Sequence, residues 1–249
     1  MVVIKSENEQ RRMRSAGRVA AKVLADLCRA VGPGISTREL DELAAVRIRE
    51  FGGRSAFLGY RGYPCHACIS VNDEVVHGLA GGRRLRFGDI VSIDVGVIFE
   101  GYIGDNARTV AVGGCDVETQ RLLDVTEAAL YRGVAAAIAG NRVTDISRAV
   151  QTLVERERFS VVREFVGHGV GRAMHEDPQI PNYVDPNCRQ LLEPGMTLAI
   201  EPMVNAGGAD VRVLKDGWTA VTMDGSWSAH FEHTVLVTNH LPEILTREA

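Results

Sequence analysis

Apolar residues along the chain follow two patterns, one typical of α-helices and one typical of β-strands, and segments of the two kinds alternate. Residues 7–30 and 37–51 carry apolar side chains at the three-to-four-residue spacing of an amphipathic helix, with the breaker "GPG" between them. The same spacing returns over residues 117–139 and 144–158. The pattern therefore predicts two pairs of helices.

Shorter apolar runs typical of β-strands follow each predicted helix pair. The predicted strands are 67–71, 90–99 and 102–112 in the first half and 161–166, 196–204, 211–214, 218–223 and 231–238 in the second. Helix pairs followed by hairpin-connected strands predict an α+β fold, in which helices cover one face of an antiparallel sheet.

The chain also contains an internal repeat. "LRFGDIVSID" (85–94) aligns with "LEPGMTLAIE" (192–201), 107 positions later, and this alignment matches Asp94 to Glu201. At the same offset "GPGISTRELDEL" falls on "AGNRVTDISRAV", so the helix after each turn repeats as well. We therefore predict a single domain over 1–249, built from related halves of roughly 1–113 and 114–249.

Two carboxylates inside the predicted hairpin are the first candidates for chemistry. A two-residue "EG" loop at 100–101 sets Asp94 opposite Ala107 and Asp105 opposite Gly96. The two aspartates then share one face as diagonal neighbours, roughly 7–8 Å apart. Because buried like charges need a counter-charge, this placement indicates a cation site. The structural alternative is one aspartate at a strand edge and the other in the turn "GDN".

Further candidate ligands lie in the second half. His168 and His175 occur in "FVGHGVGRAMHEDPQIPNY", and Glu232 begins a predicted strand in "SAHFEHTVLV". The two aspartates, one histidine, Glu201 and Glu232 form an oxygen and nitrogen set that suits two divalent transition-type cations. Taken singly, His168 also fits a turn cap, and Glu232 also fits a solvated strand residue.

Composition excludes several classes of protein. With 249 residues and 45% hydrophobic content, the chain is long enough for a full core. A net charge of -4 with dispersed Lys and Arg argues against nucleic-acid binding. The charged first twenty residues do not form a signal peptide, and no apolar run approaches the length of a membrane span, so we expect a cytoplasmic protein.

The cysteines argue against both a disulfide framework and a zinc knuckle. Five scattered cysteines, an odd number, indicate reduced thiols. "CHAC" at 65–68 lacks the second ligand pair that a structural zinc site requires.

Six motifs in order and spacing resemble type I methionine aminopeptidases of the pita-bread family. They are "VNDEVVHGL", "GDIVSIDVGV", "GYIGDNARTVAVG", "GHGVGRAMHEDPQIPNY", "LEPGMTLAIEPMVNAG" and "SAHFEHTVLV". The resemblance covers almost the whole chain and implies a pita-bread fold. We expect the short bacterial form, with no room for an N-terminal zinc-finger extension and without the helical insertion of type II enzymes.

The resemblance implies a role for each of the five candidate ligands. Asp94 would bind one cation through both oxygens, Asp105 and Glu232 would bridge two cations, and His168 and Glu201 would complete the second site. The implied cofactors are two divalent ions of Co, Mn, Fe or Zn, which lower the pKa of a water and polarise the peptide carbonyl.

The resemblance also implies the remaining active-site residues. His77 and His175 match two histidines that are not ligands and that contact substrate and the tetrahedral intermediate, while Glu201 is the expected proton shuttle. The implied methionine pocket contains Tyr60, Tyr63, Cys68 and Trp218. Met174 and Phe57 depart from the residues common in the family, Phe and Cys respectively. A flexible thioether fills a similar volume, so we expect methionine still to fit, with an effect on selectivity and inhibitor response.

The implied activity is removal of the N-terminal methionine from nascent polypeptides that carry a small second residue. Association with the ribosome would suit such an enzyme, although no residue here indicates it. We expect a monomer, because no amphipathic stripe is left over. The alternatives are a proline-directed aminopeptidase or prolidase, which usually carries an additional N-terminal domain, and a non-catalytic binding protein of this fold, which would have lost ligands that this chain keeps.

Overall fold

The computed structural model describes residues 2–247 of the chain. Its α-helices are α1 (Glu7–Ala30), α2 (Thr37–Glu50), α3 (Val117–Ala136) and α4 (Val143–Arg156), with a 3-10 turn at Tyr60–Gly62. The strands of the first half are β1 (Arg54–Ser55), β2 (Cys68–Val71), β3 (Glu74–Val76), β4 (Ile90–Phe99) and β5 (Tyr102–Ala111). Those of the second half are β6 (Ser160–Val161), β7 (Gly167–Gly169), β8 (Glu176–Ile180), β9 (Thr197–Ile200), β10 (Met203–Asn205), β11 (Val211–Val213), β12 (Ala220–Thr222), β13 (Ser228–His230), β14 (Glu232–Leu236) and β15 (Glu243–Ile244).

The helix predictions are confirmed, with one end misplaced by three residues. Helices α1 and α2 begin at capping boxes, in which Ser6 and Ser36 pair with the glutamate three residues later. Helix α3 ends at Ala136 and not at 139, because the Asn141 side chain donates to the Ala136 carbonyl oxygen at 2.9 Å. That hydrogen bond satisfies an end carbonyl and turns the chain towards α4.

The hairpin of β4 and β5 has the predicted register. Asp94 pairs with Ala107, and Gly96 pairs with Asp105. Glu100 and Gly101 both have positive φ, 51° and 79°, as a two-residue type I′ turn requires.

The main sheet is antiparallel and runs in the order β1-β4-β5-β14-β9-β7-β8 within residues 2–247. Strand β2 also pairs with β4, and β15 pairs with β14. Two three-stranded sheets, β13-β10-β6 and β11-β12-β3, adjoin it. Helices α1 and α3 pack on the main sheet, which agrees with the predicted helical layer.

Several strands of the second half are shorter than predicted. The stretch 196–204 is divided between β9 and β10, because Pro202 has no N–H to donate to a ladder and β10 joins a different sheet. The strand predicted at 161–166 ends at Val161, and the strand predicted at 218–223 begins only at Ala220. At the latter position the Asp216 carboxylate accepts two backbone N–H groups and holds a turn.

Equivalent contacts occur at corresponding places in the two halves. The Gly34 N–H donates to the Leu85 carbonyl at 2.7 Å, and the Gly140 N–H donates to the Leu192 carbonyl at 2.9 Å. The contacts match Leu85 to Leu192, 107 positions apart as the sequence repeat has them, but they match Gly34 to Gly140, 106 positions apart, so the helical part of the repeat is shifted by one residue from the predicted alignment. The single domain over 1–249 and its division into halves stay predictions, and residues 1, 248 and 249 lie outside the described range.

Helix α1 approaches the main sheet at a glycine. A Cβ added to Gly104 on β5 would lie 2.5 Å from the Ala16 carbonyl oxygen of α1. This contact brings the helix backbone against the sheet, opposite the face on which Asp105 projects. Of the helices in residues 2–247, none combines the length and apolar composition that crossing a bilayer requires.

We predict that Gly104→Ala destabilises the protein by about 1–3 kcal/mol, because the added methyl group must push the helix away from the sheet. Urea unfolding measures the change. Gly82→Ala is the matched control, since a Cβ at exposed Gly82 would meet nothing within 4 Å. Equal midpoints for the two variants would contradict the close-packing argument.

Candidate metal centre

The five predicted ligands line one cavity of about 370 Å³. Each lies on or directly after a different strand: Asp94 on β4, Asp105 on β5, Glu232 on β14, Glu201 after β9 and His168 on β7. These five strands are consecutive neighbours in the main sheet. The sheet therefore presents a row of ligands, one from each strand, although they are scattered over 139 positions of sequence (232 − 94 + 1).

Three of the five form a compact group. Ligand atoms of Asp105, His168 and Glu232 lie within 4.8 Å of one another. His168 Nε2 is 3.4 Å from Glu201 Oε1 and 3.8 Å from Asp105 Oδ2. These distances place Glu201 beside the group.

Asp94 is positioned by the strand register. Its partner across the ladder is Ala107, which is also the partner of Glu232 on the other side of β5. Asp94 and Glu232 therefore flank a residue with only a methyl side chain, and Asp105 is two positions away on the same face. The predicted convergence of the two aspartates fits this geometry.

Carboxylate oxygens in the cavity lack partners. Asp94 Oδ1, Asp105 Oδ1 and Glu232 Oε1 are buried and have no hydrogen-bond partner. A buried polar atom is ordinarily satisfied, so three orphaned acceptors in one cavity call for positive charge. The donor set fits divalent cations such as Mn, Fe, Co or Zn.

The carboxyl groups in the cavity have raised pKa values. Burial raises the pKa of Asp105 to about 7, and a hydrogen bond with Glu232 opposes that rise. Burial and then neighbouring carboxylates raise the pKa of Asp94, Glu201 and Glu232 well above the ordinary value. Without a cation the group holds protons, and a bound cation would displace them.

His168 is prepared to offer a lone pair. Its Nδ1 lies 2.9 Å from the Gly169 carbonyl oxygen and donates to it, which leaves Nε2 unprotonated and facing the carboxylates. Burial and the neighbouring His175 lower the pKa of His168 to about 4. The ring is therefore neutral at physiological pH.

His77 and His175 line the same cavity. The Tyr60 hydroxyl lies 2.7 Å from His175 Nδ1, and burial, followed by the charge of Arg61, lowers the pKa of His175. His77 has φ 58° and its ring meets Phe165 edge-on at 5.2 Å. Burial and His175 lower the pKa of His77 to about 4, so both rings are neutral.

A buried ion pair holds the loop that carries His175. Lys5 Nζ is 2.6 Å from Glu176 Oε2, and the other oxygen of Glu176 accepts the backbone N–H groups of Arg172 and Ala173. Breaking one partner of such a pair costs about 3–5 kcal/mol, so the loop is firmly anchored.

An apolar pocket opens from the metal group. The Tyr63 and Trp218 rings meet edge to face at 5.1 Å, and the Tyr63 hydroxyl donates to the Gly78 carbonyl at 2.8 Å. Phe57 lines this cavity, as do all the predicted pocket residues, which are Tyr60, Tyr63, Cys68, Met174 and Trp218. The hydrogen bond to His175 gives Tyr60 a second role that the sequence did not indicate.

Among the lining residues that were not predicted from the sequence are Phe165, Met203 and His230. His230 precedes Glu232 by two positions, so strand alternation would have placed both side chains on one face. No pattern in the sequence singles out Phe165 or Met203, which reach the cavity only through the tertiary fold.

We predict that the metal-free protein loses stability as the pH rises from about 6.5 through the folded pKa of Asp105, which is about 7. The cavity carboxyls have raised pKa values in the folded state, Asp105 at about 7, whereas in the unfolded chain they ionise near pH 4. The folded state therefore binds more protons, and its stability falls as the pH rises through the folded pKa values. The buried histidines have lowered pKa values and produce the opposite trend only below about pH 6.5.

Urea unfolding in the presence of a chelator, at several pH values, measures this slope. Protein saturated with Mn²⁺ is the control, because the cations displace the protons and the downward slope should disappear. A metal-free protein whose stability is flat or rising as the pH passes from about 6.5 through about 7 would show that the carboxyls are ionised without a cation.

The sequence matches those of known peptidases over nearly its full length. Residues 11–239 match the sequence pattern of a family described as "Metallopeptidase family M24". The chain is 51% identical over 247 residues to methionine aminopeptidase 1 of Bacillus subtilis (strain 168), covering 99% of this chain and 100% of that protein. It is 45% identical to the methionine aminopeptidase of Escherichia coli (strain K12), covering 98% and 94%.

Solved structures of peptidases are also similar to this chain. A methionine aminopeptidase from Thermotoga maritima superposes with a TM-score of 0.97 at 45% identity, covering 100% of both chains. A prolidase from Pyrococcus furiosus superposes with a TM-score of 0.82 at 23% identity, covering 99% of this chain and 66% of that one, which shows a shared fold alone. The pita-bread fold is thereby confirmed, and the chain belongs to metallopeptidase family M24, whose members use divalent metal.

Proposed function

We propose that this chain is a methionyl aminopeptidase, which hydrolyses the first peptide bond of polypeptides that begin with methionine. One observation carries the proposal: a row of five metal-ligand side chains and an apolar pocket share a single cavity of about 370 Å³. That volume suits a methionine side chain together with the first peptide group. The residue roles that follow are part of the proposal.

Five side chains would hold two divalent cations. Asp105 and Glu232 would contribute to both sites, Asp94 to one, and His168 and Glu201 to the other. When bound, the cations activate a water for attack and polarise the peptide carbonyl. The orphaned oxygens of Asp94, Asp105 and Glu232 support this arrangement. The donor set is compatible with Co, Mn, Fe or Zn.

Glu201 moves the proton. Its Oε1 lies 3.4 Å from His168 Nε2, and its Oε2 lies 3.7 Å from His230 Nε2. Burial and nearby carboxylates raise the pKa of Glu201 in the metal-free protein, and as a carboxylate beside the attacking water Glu201 would serve as the base. It takes the proton of the attacking water and delivers it to the departing nitrogen.

His175 donates a hydrogen bond to the carbonyl oxygen as negative charge develops there. We assign the Tyr60 hydroxyl as the donor to Nδ1 of the neutral ring, and this assignment places the ring hydrogen on Nε2. Such a donor acts mainly in the transition state. His77, across the cavity against Phe165, lies next to the scissile nitrogen.

The apolar pocket selects the first residue, and steric limits select the second. The aromatic pair Tyr63 and Trp218 and the thioether of Met174 enclose an unbranched apolar side chain. The second side chain is directed towards His77, so a bulky residue would displace the carbonyl. A displacement of about 1 Å can lower the rate on the order of a hundredfold.

The substrates are the N-termini of nascent polypeptides. We further propose that the protein acts in the cytoplasm as a monomer, with no requirement for nucleic acid or membrane. A ribosome-associated pool would suit this role.

We predict that Tyr60→Phe lowers kcat about three- to tenfold. The variant loses a hydrogen bond worth roughly 0.5–1.5 kcal/mol, so the hydrogen of the His175 ring is no longer held on Nε2. Steady-state kinetics on Met-Ala-Ser measures the change. Tyr63→Phe is the matched control: its hydroxyl contacts the Gly78 carbonyl and no histidine, so its effect should fall on KM. If both variants changed only KM, Tyr60 would be a pocket residue alone.

The function itself is tested with peptides and added Mn²⁺. We expect Met-Ala-Ser to be cleaved about a hundredfold faster than Met-Lys-Ser. Leu-Ala-Ser should be cleaved at least about tenfold more slowly than Met-Ala-Ser, because a branched side chain fits the pocket poorly. Asp105→Asn is the inactive control, and its circular dichroism should match that of the parent.

The possible results separate the alternatives. Preferential cleavage of Ala-Pro-Ser would assign a proline-directed peptidase. Equal rates for Met-Ala-Ser and Met-Lys-Ser would remove the small-residue rule while retaining an aminopeptidase. Binding of peptide without turnover, in protein shown to contain metal, would leave a non-catalytic binding protein.

A further inference from the structure

We propose that His230 is a positioning residue for Glu201, in which His230 Nε2–H donates to Glu201 Oε2 and fixes the orientation of that carboxylate. The inference deepens the proposed function and rests on it, because Glu201 matters here as the proton carrier. Neither the repeat nor the five-ligand set includes His230.

The geometry places the two groups in a shared, closed position. His230 Nε2 lies 3.7 Å from Glu201 Oε2, and the His230 side chain is only 2% exposed. Nε2 has no hydrogen-bond partner within the described residues. A separation of 3.7 Å exceeds a good hydrogen bond by about half an ångström, which a small rotation of the carboxylate closes. Hydrogen bonds of this kind are often long before the substrate complex forms.

The backbone of His230 is held rigidly. Thr109 Oγ1 accepts the His230 N–H at 2.8 Å and donates to the His230 carbonyl at 2.8 Å. Ser92 contacts the same hydroxyl at 2.8 Å, and Met203 is the ladder partner of His230. These contacts fix the backbone that carries the His230 imidazole. Glu201, by contrast, lies just after the end of strand β9, so a hydrogen bond from His230 would fix the orientation of its carboxylate.

The two oxygens of Glu201 therefore face two different histidines. Oε1 lies 3.4 Å from His168 Nε2, on the side of the metal group, and Oε2 lies 3.7 Å from His230 Nε2. His168 offers a lone pair, because its Nδ1 hydrogen is directed to the Gly169 carbonyl. His230 supplies the complementary donor. Holding both oxygens keeps one carboxylate as a ligand and as a proton carrier without rotation between the two tasks.

Direct metal ligation by His230 fits the structure less well. His168 Nε2 lies within 4 Å of two candidate ligands, Asp105 at 3.8 Å and Glu201 at 3.4 Å, whereas among the described residues His230 Nε2 faces the Oε2 atom of Glu201 at 3.7 Å. A nitrogen in that position is placed for a hydrogen bond to a ligand, as is common around metal sites.

Three variants separate the roles of the ring. His230→Gln places an amide donor near the position of Nε2. His230→Asn carries a similar amide one methylene shorter, too short to reach Glu201, and His230→Leu fills the space without a donor. For each, calorimetric titration of metal-free protein with Mn²⁺ gives cation number and affinity, and kinetics on Met-Ala-Ser gives kcat and KM separately.

We expect His230→Leu and His230→Asn to lose about 10–100-fold in kcat or in affinity for one Mn²⁺, the usual size of such effects, with KM nearly unchanged. The Gln variant should recover most of that loss. A Leu variant equal to the parent would mean that the ring only fills space. A Gln variant as impaired as Leu would exclude the hydrogen bond, and loss of one Mn²⁺ in all three would make His230 a ligand; each result overturns the proposal.

Two controls keep the test decisive. Thermal unfolding of the metal-free variants detects misfolding, and the polar Asn variant replaces Leu if a buried leucine is not tolerated. Should the parent cleave none of the peptides, the proposed function would fail, while the Mn²⁺ affinities of the Gln and Asn variants would still decide whether His230 supports Glu201.

Discussion

The structure depends on holding four carboxylates in one buried cavity. Burial and mutual repulsion favour protonation, so the four can ionise together only beside positive charge. The described chain places no lysine or arginine against their unpartnered oxygens. Divalent cations would answer that need, at positions set by the strands of the sheet. Ala107 pairs with Asp94 on one side and Glu232 on the other, and its small side chain leaves room between them.

The part of this site that could be predicted from the sequence is the part set by local rules. A two-residue loop fixes the register of a hairpin, and alternation then puts Asp94 and Asp105 on one face. Apolar periodicity likewise predicted where α1 and α2 begin, and the capping boxes at Ser6 and Ser36 lie at those starts. The role of His168 came from resemblance to a family, because a histidine among glycines has no local signature of ligation.

The rest depended on contacts between distant segments. Pro202 ends β9 directly after Glu201 and sends β10 into another sheet, so a continuous apolar run gave one predicted strand where two exist. The ion pair between Lys5 and Glu176 joins residues 171 positions apart. His230 carried a signal, two residues before Glu232, but its importance arises only when the fold brings Glu201 against it.

The repeat explains why the site has two sides, and its departures explain why they differ. Asp94 lies within the ten-residue strand β4, with a short side chain fixed by the ladder. Its counterpart Glu201 lies beyond a four-residue strand, and its longer side chain places its two oxygens 3.4 and 3.7 Å from two histidines. In the proposed mechanism Asp94 would only bind a cation, whereas Glu201 would bind a cation and also carry a proton, which requires an oxygen that no cation occupies. The two related halves therefore differ where the difference matters: β4 continues past Asp94, whereas β9 ends before Glu201.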